Sequence, residues 1–279
     1  MATSVSTTPF QIPVRRDIAF NFGATVAQSP AANQRVRHLW YAFSVLGPGA
    51  ETFFVRVMKR ARDEVRDAEL RAQVDAFLLQ EGLHTRHHRA LNARLAELGY
   101  DIDRASAVAE RTLRDLDGAS LRDLLALLIA GEYAIYTLAR LILEDHAVLA
   151  PMSPEVRRLL EWHALEEMEH QSVACDVYRH SFGDGIRHRF VHIRALIKAC
   201  RILITAVGQI GAVLMEAEPT TPPAQQLAHF YYLFGMPGLL RRVAVRLPRF
   251  LAPRFRHWAD PRDLELITRA ADRVYDPAS

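Results

Sequence analysis

His163, Glu167 and His170 follow one another at intervals of four and three residues, a spacing that on a helix puts all three side chains on one stripe. Continued by the same alternating steps, the stripe runs Val156, Leu160, His163, Glu167, His170, Ala174, Val177. Three polar groups therefore interrupt a seam of core residues. Burying a carboxylate and two imidazoles is costly unless something compensates them. A bound cation does so directly, which restricts the chain to folds in which other helices bring further ligands to the same place.

Three other stretches have the same construction. Leu70, Val74, Phe77, Glu81, His84, His88, Leu91, Leu95 and Leu98 form one seam, with Glu81, His84 and His88 at its middle. Leu121, Leu125, Leu128, Glu132, Ile135, Ala139 and Ile142 form another around Glu132, and Glu51, Phe54, Met58, Ala61 and Val65 a shorter one. Each helix aims a carboxylate inward, and Glu81 with His84 and Glu167 with His170 spell Glu-x-x-His twice. With turns near Asp67 and near Leu149 and Ala150, a rise of ~1.5 Å per residue puts Glu51 level with Glu81 to within ~3 Å, and Glu132 level with Glu167.

These patterns predict an all-α fold: a ferritin-like four-helix bundle whose ligands occur in the order Glu, Glu-x-x-His, Glu, Glu-x-x-His. The expected organisation is an N-terminal arm at 1–30, the metal-binding bundle at 31–182 and a C-terminal helical extension at 183–279. The expected ligands are Glu51, Glu81, His84, Glu132, Glu167 and His170, with Glu81 and Glu167 acting in catalysis. His88 and His163 each lie one turn from a ligand, as a further imidazole ligand or as a group that orients one. Glu166 and Asp176 are candidate acceptors for ligand imidazole N–H groups. Tyr136, one turn after Glu132, is either a proton or radical donor or a core residue.

The remaining boundaries follow from glycine and proline. A short helix from Asn33 to Val45 is expected to stop at Gly47-Pro48-Gly49, which leaves Glu51 opening the next helix, where the helix dipole would favour a negative charge. The second helix runs from Glu69 to Gly99, and a polar connection, Tyr100 to Ala119, carries the chain across to the second hairpin. The third helix spans Ser120 to Leu149, with Gly131 leaving room beside Glu132, and the fourth spans Pro154 to Phe182. A long helix from Ile186 to Glu216 and a linker at Thr220 to Pro223 follow.

Cys175 and Cys200 are the chain's two cysteines, both in apolar helical stretches, so a disulfide scaffold is excluded and a reducing, cytoplasmic setting is expected. The first 30 residues contain no apolar run of signal-peptide type. A net charge of +3 without long basic blocks argues against nucleic acid. Ile202 to Ala217 is the most membrane-like segment, but it is short, holds Gln209, and reads as a buried helix. The tail from Leu239 to Trp258 mixes Arg241, Arg242, Arg246, Arg249, Arg254 and Arg256 with Leu, Phe and Pro. It is either the solvated face of a packing helix or an interfacial segment that touches anionic lipid.

Gln80-Glu81-x-x-His84-x-x-x-His88, Glu132, and Trp162-His163-x-x-Glu166-Glu167-x-Glu169-His170-x-x-Val173-Ala174-x-Asp176-Val177-Tyr178 together resemble the bacterial family labelled predicted metal-dependent hydrolases. The similarity runs from the arm around Pro13 through the fifth long helix, with Cys175 where an aromatic residue is expected. The label implies hydrolysis, whereas the ligand layout resembles ferritin-like di-iron oxidases and oxygenases. The expected cofactors are two metal ions, with iron first and manganese or zinc as alternatives. The favoured activity is a di-iron oxidoreductase that uses O2 and an electron donor on a small apolar substrate. The alternative is a metal-dependent hydrolase acting on an ester or phosphoester through a metal-bridged hydroxide. A homodimer is compatible with either.

Overall fold

A computed structural model describes residues 11–13, 17–23, 26, 33–114, 116, 118–183, 185–218, 220–251 and 262–275. Arg254, Arg256 and Trp258 of the basic tail, and most of the first 30 residues, lie outside this set. The described residues form α-helices joined by turns, and no strand occurs among them. In chain order the helices are α1 Gln34–Arg62, α2 Ala68–Glu97, α3 Ile102–Arg114, α4 Leu121–Glu144 and α5 Pro154–His170. After these come α6 Val173–Phe182, α7 Ile186–Met215, α8 Pro223–Phe234, α9 Leu239–Ala244 and α10 Arg262–Tyr275.

Local chemistry sets the helix ends. Asp67 caps α2 by accepting from the Leu70 amide at 2.9 Å, and Ser120 caps α4 by accepting from the Asp123 amide at 3.2 Å. Gly99 stands just past α2 with φ of 93°, a conformation that a side chain would strain. Two antiparallel hairpins, α1 with α2 and α4 with α5 and α6, pack into the bundle, and α3 spans the crossover between them. The interval 100–119, expected as a polar connection, is thus largely a helix. It is amphipathic and buries Ile102, Ala105, Val108 and Ala109 against the bundle.

The expected break at Gly47-Pro48-Gly49 is absent: α1 passes through all three residues, and Glu51 sits inside a long helix rather than at its start. Pro48 has no N–H to give the Ser44 carbonyl, and a proline inside a helix normally costs ~3 kcal/mol for that reason and for its clash. Asn92 of α2 supplies the missing donor, its Nδ2 reaching the Ser44 carbonyl at 3.1 Å. Gly47 and Gly49 lack Cβ atoms where one would come within 3.1 Å of the Glu51 carboxylate and 3.4 Å of Ala109 respectively.

The third helix ends at Glu144 and continues as a 3-10 turn, His146–Leu149. The expected fourth helix is two, broken directly after His170. There the Gln171 side chain donates to the Met168 carbonyl at 3.0 Å, where the amide of the next turn would bond in an unbroken helix. α4 and Arg187–Met215 are each long and apolar enough to cross a membrane. α4 is core, burying both Leu125 and Leu128, whereas α7 buries one side, including Ala199, Ala206 and Ile210, and packs on α1, α3 and α4.

Described residues of the N-terminal arm lie along α2 and α5. The Ile12 amide donates to Gln73, Asp17 pairs with Arg86 and His87, and the Asn21 amide donates to Glu155. The Phe20 ring meets Trp162 at 5.6 Å between centroids. On the other side, α10 docks on α5 and α4 through Asp263, whose carboxylate takes hydrogen bonds from Arg140 and the Tyr136 hydroxyl. Tyr136 therefore points at α10 and its role is structural, not that of a proton or radical donor to the bundle interior.

Candidate metal centre

Glu51 of α1, Glu81 and His84 of α2, Glu132 of α4, and His163, Glu167 and His170 of α5 meet inside the bundle. Ligand-type atoms of Glu81, Glu132, Glu167 and His170 all lie within 4.8 Å of one another, as do those of Glu51, Glu81 and His84, and those of His84, His163 and Glu167. Glu81 and Glu167 each belong to two of these overlapping sets, as does His84, and a further set joins Glu51, His88 and His163, so the cluster reads as two halves with groups in common. Apart from His163, whose side chain is 16% exposed, these groups are buried.

The hydrogen bonds leave a consistent pattern of free lone pairs. His84 donates through Nε2 to Glu166 at 3.2 Å, and Glu166 in turn accepts from the Tyr275 hydroxyl of α10 at 2.6 Å. His170 donates through Nε2 to Gln80 Oε1 at 2.7 Å, and Gln80 donates to Glu169 at 3.2 Å. Both imidazoles are thus held in the tautomer that turns an unprotonated Nδ1 toward the cluster. Asp176 does not serve as the second acceptor; it pairs with Arg179, and the Gln80 and Glu169 pair takes that place.

His88 and His163 have different roles. Because Asn92 Nδ2 must donate to the Ser44 carbonyl, Asn92 Oδ1 faces the Ser44 hydroxyl and accepts from it at 3.0 Å. Ser44 Oγ then accepts from His88 Nδ1 at 2.9 Å, and His88 Nε2 accepts from His163 Nδ1 at 2.6 Å. His163 is left with Nε2 facing Glu167, 2.8 Å away. His88 has both nitrogens in hydrogen bonds and so orients its neighbour, while its ring also lies within ligand reach of Glu51 and His163. The origin of this chain is Pro48, two helices from the group it sets.

Replacing Ser44 by alanine is expected to weaken binding of one metal equivalent about tenfold or more, the effect usual for an outer partner of a ligand imidazole. Competition titration of the variant against a chelator measures it, and unchanged affinity would remove Ser44 from the chain.

Thr85 donates to Glu51 Oε2 at 2.8 Å. Gly131 does not make room beside Glu132: an added Cβ would come within 3.0 Å of the Phe54 ring, which occupies that space. Of the residues that sequence reasoning missed, Asn92 and Thr85 had a signal. Each stands one turn from a seam residue, His88 and Glu81 respectively. Ser44 had one only in retrospect, through the proline four residues later.

A cation fits this set of groups. Both oxygens of Glu81 and of Glu132, one oxygen each of Glu51 and Glu167, and Nδ1 of His84 and of His170 are buried without a hydrogen-bond partner among the described residues. Such orphaned acceptors, all aimed at one another, are costly unless a positive ion sits between them. Burial pushes Glu51 up to about 7, and it pushes Glu81 and Glu132 well above the usual carboxylate range, with the Glu167 charge adding to the effect. Burial also holds His84 well below the ordinary imidazole value and His170 down to about 4, keeping both neutral as ligands must be. His163 differs: burial opposes its protonation, but Glu167, 2.8 Å from Nε2 and ready to accept from a second ring proton there, and the surrounding carboxylates raise it.

Protons therefore compete with a metal here. Below about pH 7 the Glu51 carboxyl holds its proton, so affinity is expected to rise as pH increases from 6 to 8, with proton release on binding. Calorimetry in two buffers of different ionisation enthalpy measures that release; binding with no proton released would contradict these shifts.

The fold and the cluster define a class: a helical-bundle protein in which carboxylates and imidazoles from four helices form a buried candidate metal-binding set. The chain belongs to the family described as predicted metal-dependent hydrolase, whose model matches residues 14–260. No curated protein and no solved structure matches the chain. α10, which supplies Tyr275 and Asp263, lies beyond the matched span.

Proposed function

We propose that this protein is a dinuclear metal oxidoreductase of ferritin-like type, with iron as its metal and O2 and a small apolar molecule as its substrates. The reading is carried by the sharing of Glu81 and Glu167 between two overlapping ligand sets. Glu51, Glu81, His84, His163 and Glu167 would hold one ion, and Glu81, Glu132, Glu167 and His170 the other. A set of carboxylates and imidazoles without thiolate suits iron or manganese. Two ferrous ions bound there would supply electrons for the reduction of O2.

The chain's own contribution is positioning and exclusion. The anchors Glu166, Gln80 and His88 keep three imidazoles in the tautomers that a metal needs. Phe54 and Phe77, both buried, and Trp162 line the surroundings, with Phe77 at 4.8 Å from the His170 ring and Trp162 at 5.0 Å from the His84 ring. Such a wall admits O2 and an apolar substrate more readily than water and suppresses side reactions. His163, the member with some exposure, marks the side from which reactants would arrive.

The family description favours hydrolysis instead, with the same ions lowering the pKa of a shared water. Against that, no Lys or Arg hydrogen-bonds the clustered side chains among the described residues, and Arg89, which acts on Glu51 through its charge, is the cation that a phosphoester would find nearby. Anaerobic loading of the metal-free protein with Fe(II), followed by O2, separates the two. The expected result is O2 consumption with a transient visible absorption. A loaded protein that leaves O2 untouched yet cleaves a model ester without reductant, and loses that activity on Glu167→Ala, would establish the hydrolase.

A further inference from the structure

α8 carries apolar side chains inward, where Tyr232 and Leu233 pack against the core, and outward as well. Its inner side is held by hydrogen bonds: Asn33 donates to the Gln225 carbonyl at 2.6 Å, Trp40 to the Tyr232 hydroxyl at 3.0 Å, and that hydroxyl to the Val148 carbonyl at 2.8 Å. Its outer side carries Leu227, Phe230, Tyr231 and Phe234, at the i, i+3, i+4 and i+7 positions of one helix stripe, all exposed. None of its residues is buried. Directly after it Met236 is 78% exposed. Large apolar side chains gathered on an outward face mark a surface that something else covers.

The charge pattern says what covers it. From Pro219 to Ala259 the chain contains no Asp or Glu and six arginines. Arg242 and Arg246 pair with Asp145 and Glu144 of the bundle. Arg241 is exposed and has no carboxylate partner among the described residues, and Arg249 is exposed as well. A second copy of the chain is a poor occupant, because a two-fold contact would set this arginine-bearing segment, which has no acidic residue of its own, against itself. An anionic lipid surface is a good one: guanidinium groups meet phosphates while aromatic rings sit at the headgroup boundary.

We infer that α8 and the segment after it dock this protein peripherally on an anionic lipid bilayer, with Phe230, Tyr231 and Phe234 entering the headgroup boundary. At 12 residues α8 lies on the membrane and does not cross it. The inference is independent of the metal centre.

Flotation of the full-length protein with vesicles of phosphatidylcholine containing phosphatidylglycerol, and with phosphatidylcholine alone, tests it. Binding is expected to the anionic vesicles and to fall about tenfold or more on the neutral ones or at high salt. The double substitution Phe230→Glu and Phe234→Glu is expected to abolish binding with an unchanged thermal melt, because both side chains are already exposed, and Arg241→Glu to weaken it about fivefold or more. No binding to anionic vesicles, or binding unaffected by the double substitution, overturns the inference. So does a dimer, seen by light scattering, that the same substitution splits while lipid binding is nil.

Discussion

Alanine at Glu167 is expected to abolish tight binding at both metal positions, while alanine at Glu132 weakens only one. Glu167 belongs to two of the overlapping ligand sets and Glu132 to one, so the two variants differ in stoichiometry and not merely in degree. The loss on Glu167→Ala should exceed the ~100-fold that marks the upper range for an outer partner, since a direct ligand is removed. Stability offers an independent readout. A metal present at about a thousand times its dissociation constant adds about 4 kcal/mol, which for a domain of 150 to 250 residues raises Tm by roughly 8 to 16 °C. The wild-type protein should show such a gain on metal addition and Glu167→Ala should not. The metal-free variant, relieved of one buried carboxylate facing others, should melt no lower than metal-free wild type. If Glu167→Ala keeps the full gain, the two halves do not share that carboxylate.

The second large effect lies away from the cluster. Asp263→Ala should destabilise the protein by about 3 kcal/mol, the lower end of the range for removing one partner of a buried ion pair, because Glu144 still compensates part of the charge left behind. Asp263 is 1% exposed and accepts from both Arg140 and Tyr136, while Arg140 also pairs with Glu144 at 2.7 Å. The lost carboxylate leaves a buried guanidinium less fully compensated, with Glu144 still beside it, and loosens the grip of α10 on α4. Because α10 also brings the Tyr275 hydroxyl to Glu166, the variant should lose some metal affinity as well, by way of His84. Denaturant melts of the metal-free protein measure the first effect, and a change below about 1 kcal/mol would show that the pair contributes little.

α10 illustrates where sequence reasoning stops. Its residues carry a clear amphipathic pattern, yet nothing in the order of residues joins Tyr275 to Glu166, 109 positions away. The same holds at Gly47-Pro48-Gly49. Local propensity argues for a break there, and the helix survives because Asn92, on a different helix, donates to the one carbonyl that proline leaves without a partner. Asp176 was a candidate acceptor, but once α2 and α5 face each other His170 donates to Gln80, which is itself bonded to Glu169.

What the order of residues determined alone is the set of faces. Steps of three and four commit Glu51, Glu81, His84, Glu132, Glu167 and His170 to the apolar stripes of four helices, because side-chain direction on a helix depends only on position along it. Helix length and turn position then bring those stripes level, so their meeting was legible before any coordinates. Which ring nitrogen each histidine presents, whether His88 or His163 faces the carboxylates, and how Pro48 is tolerated were decided only by the tertiary structure. Each depends on a donor or acceptor arriving from another helix, and hydrogen bonds between helices are fixed by packing distances that no local spacing encodes.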